Sequence, residues 1–125
     1  MITSATFGTP DSCAYPVRSL TGSHRLITQY IAETGEAPHP RRVRHALSDH
    51  PWLRELWEPP HASTDEERIR RYMIDGTRIR DADLRIVELT GRAGDAFVMH
   101  CDTLHAVAPN TSDKPRMMAT NIITV

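Results

Sequence analysis

From Leu84 onward, short runs of alternating apolar and polar residues are separated by glycine, asparagine and proline. Short β-strands joined by tight turns satisfy that texture, and a helix does not. The predicted strands are 84–89, 96–100, 104–108 and 116–125, with a Gly-rich turn at Gly91-Arg92-Ala93-Gly94-Asp95 and a loop from Pro109 to Pro115. Side chains alternate along a strand, so Arg116, Met118, Thr120 and Ile122 share one face of the last one. Local pattern alone would make strands 104–108 and 116–125 a hairpin.

The middle of the chain is different. Residues 27–80 carry helical patterning. Ser48 or Asp49 is a cap candidate ahead of Pro51, and Trp52, Leu53, Leu56 and Trp57 form an apolar stripe that Pro59-Pro60 ends. Thr64 and Glu67 have the spacing of a capping box, each side chain satisfying the other's free backbone N–H. Ile69, Tyr72 and Met73 are expected along one face of that helix, with Gly76 closing it. Both stripes are read as core, and a two-helix excursion at 48–76 is expected to act as a lid. Residues 1–19 are poorly patterned, with turn chemistry at Gly8–Ser12 and at best a weak strand at Tyr15-Pro16-Val17-Arg18.

Three segments together carry a resemblance: Gly94-Asp95 through Leu104-His105, then Pro109-Asn110-Thr111-Ser112 with Lys114-Pro115-Arg116, and earlier Leu20-Thr21-Gly22-Ser23-His24. This set resembles the C-terminal half of the phytanoyl-CoA dioxygenase family, over residues 20–125. The resemblance implies a mainly β fold with an inserted helical segment, a partial double-stranded β-helix (jelly roll, cupin-like). Strands 104–108 and 116–125 would then lie in opposite sheets rather than form a hairpin. It also implies Fe(II) as cofactor and 2-oxoglutarate as co-substrate, in a reaction that hydroxylates a lipid or small molecule and releases succinate and CO2. His105 would be the third iron ligand and Arg116 would hold the far carboxylate of 2-oxoglutarate. Asp95, Asn110 and Ser112 would support the turns. The family's other two ligands, a His-x-Asp pair, belong to strands upstream of the matched half.

The residue chemistry agrees with those assignments. A facial triad needs a neutral imidazole held by packing, and a guanidinium fork binds a carboxylate bidentately where a lysine makes a point contact. An Arg opening the apolar run Met117-Met118-Ala119 is costly to bury without an anion. The bland readings are a turn histidine bonded to backbone and a surface arginine at a loop edge. His100-Cys101-Asp102 also spells His-x-Asp, with His105 just beyond. Strand alternation would put His100 and Asp102 on one face and His105 on the other, unless a turn at 101–103 brings them together. Cys101 is read as buried-strand material. His39, His45, His50 and His61 show no ligand spacing on one face.

Charge excludes some classes. With 15 basic and 16 acidic residues in 125, the net charge of -1 offers no single-sign field for nucleic acid, and no stretch has the length of a membrane span. Arg41-Arg42-Val43-Arg44 is the one basic run, read as a solvated helix face, with an anionic substrate tail such as a coenzyme A phosphate as the alternative use. Two cysteines without metal spacing and no targeting pattern suggest a cytoplasmic protein. Residues 1–19 are expected to precede a single domain at 20–125, helical at 48–76 and β from 84. Three readings follow. The chain is a truncated or split dioxygenase, inactive alone, that pairs with a separately encoded N-terminal half or with itself; or a non-enzymatic jelly-roll module keeping Arg116; or a small metalloprotein using His100, Asp102 and His105.

Overall fold

The computed structural model describes residues 2–7, 17–91, 94–108 and 118–123 of the chain. Helices and strands take comparable shares of them, so the protein is mixed helix and strand where the sequence suggested mainly β. The elements are β1 (Ile2–Phe7), β2 (Val17–Thr21), α1 (Ser23–Thr34), α2 (Pro40–Leu47), α3 (Pro51–Trp57), α4 (Asp65–Ile69), a π-helical turn (Arg70–Asp75), β3 (Thr77–Ile79), β4 (Ala82–Leu89), β5 (Ala96–His100), β6 (His105–Val107) and β7 (Met118–Ile123). They form a three-stranded sheet of order β5-β1-β7 and a four-stranded sheet of order β3-β4-β2-β6. Strands β6 and β7 fall in different sheets, as the resemblance implied and local pattern did not. The chain divides into two compact units, one of residues 21–86 and one of residues 1–20 with 87–125.

Helix α1 is entered through Gly22, whose φ of 76° is open to glycine at no steric cost. A Cβ there would collide with the Asp83 carbonyl oxygen, so the turn into α1 lies directly against the β4 backbone. Helix α1 starts at Ser23, four residues earlier than periodicity suggested, and buries Ser23, Leu26 and Ile27. It stops at Gly35, in the left-handed region, whose N–H reaches the Ile31 carbonyl at 2.8 Å. Helices α3 and α4, the latter with its π-helical continuation, lie within residues 48–76, and α1 and α2 precede them.

The helix caps test the sequence reading directly. Helix α3 is capped by His50, whose Nδ1 accepts the Trp52 N–H at 3.3 Å, and not by Ser48 or Asp49. Ser48 instead ends α2 and accepts the Trp57 indole N–H at 3.2 Å. The Thr64–Glu67 capping box is present with both reciprocal bonds, at 3.2 and 3.0 Å. Thr64→Ala should therefore lower unfolding free energy by about 1 kcal/mol, read as a shift of the urea midpoint at unchanged slope, and Thr64→Ser should restore it.

After one turn α4 widens into the π-helical segment, which Gly76 closes with an N–H to the Arg71 carbonyl five residues back. The wider turn rotates the side chains out of α-helical register. Tyr72 is therefore buried while Ile69, expected on the same face, is 50% exposed. Tyr72 meets Trp52 edge-on at 4.8 Å between ring centroids, and the Arg68 and Arg71 guanidinium groups lie 5.6 and 5.8 Å from its ring. Burial pushes the Tyr72 phenol up, with Arg71 pulling the other way. Arg71 also pairs with Glu55 at 2.7 Å, tying the π turn to α3. Around these residues the core holds Leu26, Ile27, Val43, Leu53, Ala82 and Leu84.

Strands β3 and β4 form a hairpin, Ile79 opposite Ala82, with Arg80 and Asp81 as its two-residue loop. Arg80 has a φ of 54°, an unusual conformation for a side-chain-bearing residue. Its guanidinium reaches Glu33 at 2.6 Å and Gln29 at 3.3 Å, while Gln29 also donates to Asp81 at 3.0 Å. Each exposed contact contributes at most about 1 kcal/mol, and together they hold the loop to α1.

In the other unit β1 lies between β5 and β7, antiparallel to both. Sequence patterning offered no strand before Tyr15. Strand β2 pairs with β6, Ser19 opposite His105, and Val17, Ser19 and Leu20 are buried. Contacts from Arg18 to Glu88 and from Thr21 to the Arg85 carbonyl run in opposite chain directions, which makes β2 and β4 antiparallel as well. Among the described residues no helix is long and apolar enough to cross a membrane.

Candidate metal centre

Strand β5 spans the expected residues, Ala96 to His100, and follows a turn with Gly94 at a φ of 93°. The Asp95 side chain lies against the start of that turn: a Cβ on Gly91 would stand 3.2 Å from its carboxylate. At the far end of β5 the chain reverses through a β-turn in which the Thr103 N–H meets the His100 carbonyl at 2.9 Å. Strand β6 then begins at His105, and the Leu20 N–H reaches the Leu104 carbonyl at 2.9 Å beside it.

His105 is exposed, and its Nδ1 lies 2.9 Å from the Thr103 carbonyl oxygen. A carbonyl can only accept, so Nδ1 carries the proton and the ring is fixed in one tautomer. Nε2 is left with its lone pair. Donation of the second ring N–H to a backbone carbonyl is the usual support of a metal-binding histidine. Arg116, Asn110 and Ser112 lie outside the described residues, as do the Pro109–Pro115 loop and Cys13.

The turn brings together a second set of donors. His100 Nδ1, Cys101 Sγ and an Asp102 carboxylate oxygen all lie within 4.8 Å of one another. Strand alternation alone would have separated neighbouring residues onto opposite faces, and the turn at 100–103 removes that constraint. Cys101 is a half-buried turn residue, not strand core. The three-residue combination anticipated from sequence was His100, Asp102 and His105. In the folded chain Cys101 joins the first two, while His105 turns to Thr103. The signal for Cys101 was available in sequence, as a polar turn following a strand, but its apolar character masked it.

The family model described as phytanoyl-CoA dioxygenase matches residues 17–118 of the chain. Neither the curated proteins nor the solved structures contain a match.

Proposed function

This chain belongs to the phytanoyl-CoA dioxygenase family, and from that premise we propose that it forms the C-terminal half of an Fe(II)/2-oxoglutarate dioxygenase site. The observation that carries the proposal is the His105 ring, held by Nδ1 to Thr103 with Nε2 left as a ligand atom. His105 would supply one iron ligand and Arg116 would clamp the far carboxylate of 2-oxoglutarate. The family's His-x-Asp pair would come from strands outside these 125 residues, carried by a longer chain or a separate one. Bound iron with 2-oxoglutarate would supply the oxidising chemistry; this chain's part is to orient its ligand and its co-substrate carboxylate. The substrate class is a lipid or other small molecule with an unactivated C–H bond, and the finer fold is a double-stranded β-helix completed by the early strands.

The test is turnover. The 125-residue chain with Fe(II), ascorbate and 2-oxoglutarate should release no succinate above the metal-only background. Adding a polypeptide with the family's early strands and their His-x-Asp pair should restore it. Robust turnover by the chain alone would place a complete site within these residues and overturn the half-site reading.

A further inference from the structure

We propose that the β-turn at 100–103 is a second metal site, separate from His105, in which His100, Cys101 and Asp102 bind a borderline-soft divalent cation of the zinc type. The Asp102 N–H approaches His100 Nδ1 at 3.2 Å, so Nδ1 acts there as an acceptor and directs a lone pair, not a proton, into the turn. The same Nδ1 lies 3.8 Å from the Asp102 carboxylate and 4.0 Å from Cys101 Sγ. Imidazole, thiol and carboxylate thus converge on one small volume.

The distances suit an ion. Zinc bonds of about 2.0–2.3 Å in tetrahedral geometry put neighbouring ligand atoms about 3.3–3.6 Å apart. The two separations from Nδ1 exceed that range by a few tenths of an ångström, and the widest in the group, within 4.8 Å, by about one. Side-chain rotation on a turn already pinned by its backbone hydrogen bond closes such a gap. On binding, the Cys101 thiol loses its proton to solvent and coordinates as thiolate, and the Asp102 N–H gives up Nδ1. Three protein ligands leave a fourth position for water. Sulfur also sets the preference: thiolate with imidazole favours zinc-type ions, whereas the family's iron triad contains no thiolate. An ion here would stiffen the turn that also presents the Thr103 carbonyl to His105. None of this depends on the dioxygenase reading.

Cobalt(II) is the probe, because a thiolate ligand gives it a near-ultraviolet charge-transfer band that imidazole and carboxylate do not. The 125-residue chain, reduced and kept free of oxygen, should develop that band and saturate at one equivalent, and Zn(II) should displace it. Cys101→Ser should abolish the band, whereas Cys13→Ser and His105→Ala should keep it. His100→Gln and Asp102→Asn should each weaken cobalt binding by at least about tenfold, the lower end of what even outer-shell partners cost. These two variants also carry the test should Cys101→Ser not fold. No band, a band that survives Cys101→Ser, one lost with Cys13→Ser or His105→Ala, or one indifferent to His100→Gln and Asp102→Asn would each overturn the proposal.

Discussion

In an enzyme completed with the family's early strands, His105→Ala should lose retained iron and, with it, all succinate formation above background. A first ligand outweighs the outer-shell partners whose removal costs 10–100-fold in metal affinity, so iron binding should fall by at least about 100-fold. Arg116→Lys should act elsewhere. It replaces two charge-assisted hydrogen bonds with a point contact, and the loss of one such bond raises the 2-oxoglutarate requirement by roughly tenfold or more with iron content unchanged. The measurement is paired: iron by metal analysis, and succinate formation against 2-oxoglutarate concentration. Cys101→Ser as background keeps the turn site from contributing to the metal count. Two variants that behave alike, or an Arg116→Lys that matches wild type, would remove the roles proposed for both residues.

The largest effect on stability is expected at Gly22. Gly22→Ala must hold a side chain at a φ of 76°, at about 1–2 kcal/mol, and also drive a Cβ into the Asp83 carbonyl oxygen, which only a shift of β4 can relieve. Together these should cost roughly 2–5 kcal/mol. Gly35 is the internal control. Its φ is 66°, yet nothing lies within 4 Å of a Cβ placed there, so Gly35→Ala should cost only the conformational part, about 1–2 kcal/mol. Urea unfolding of the two variants separates backbone strain from close approach. Equal losses would mean that the contact between the α1 turn and β4 yields easily.

Gly22 also shows how the sequence could be read. The Gly-Ser-His element was visible as a motif, and its physical basis is a left-handed turn with a buried Ser23 and no room for a side chain. Features set by neighbours in sequence were legible: the Thr64–Glu67 box, the stop at Gly76 and the bounds of β5. Features set by partners far away were not. Strand β1 has no strong alternation of its own, and its place is fixed by β5 and β7 on either side. His50 caps α3, and Ser48, a better cap former, is already engaged by α2 and Trp57. At the candidate metal centre the tautomer of His105 and the convergence on Cys101 both arise from one β-turn, whose backbone bond no periodicity encodes.

The position of β1 has a consequence in time. Ile2 pairs with both His100 and Ile123, so β1 is the middle strand of its sheet yet precedes both partners in the chain and must wait for them to be made. Residues 21–86 need no such delay, because that compact unit is continuous in sequence and is complete once Ile86 emerges. During the interval β1 has both hydrogen-bonding edges unpaired, the state in which a strand is most easily captured by another chain. Slow synthesis would lengthen that exposure, and whichever strand reaches β1 first decides whether the newborn chain closes on itself or on its neighbour.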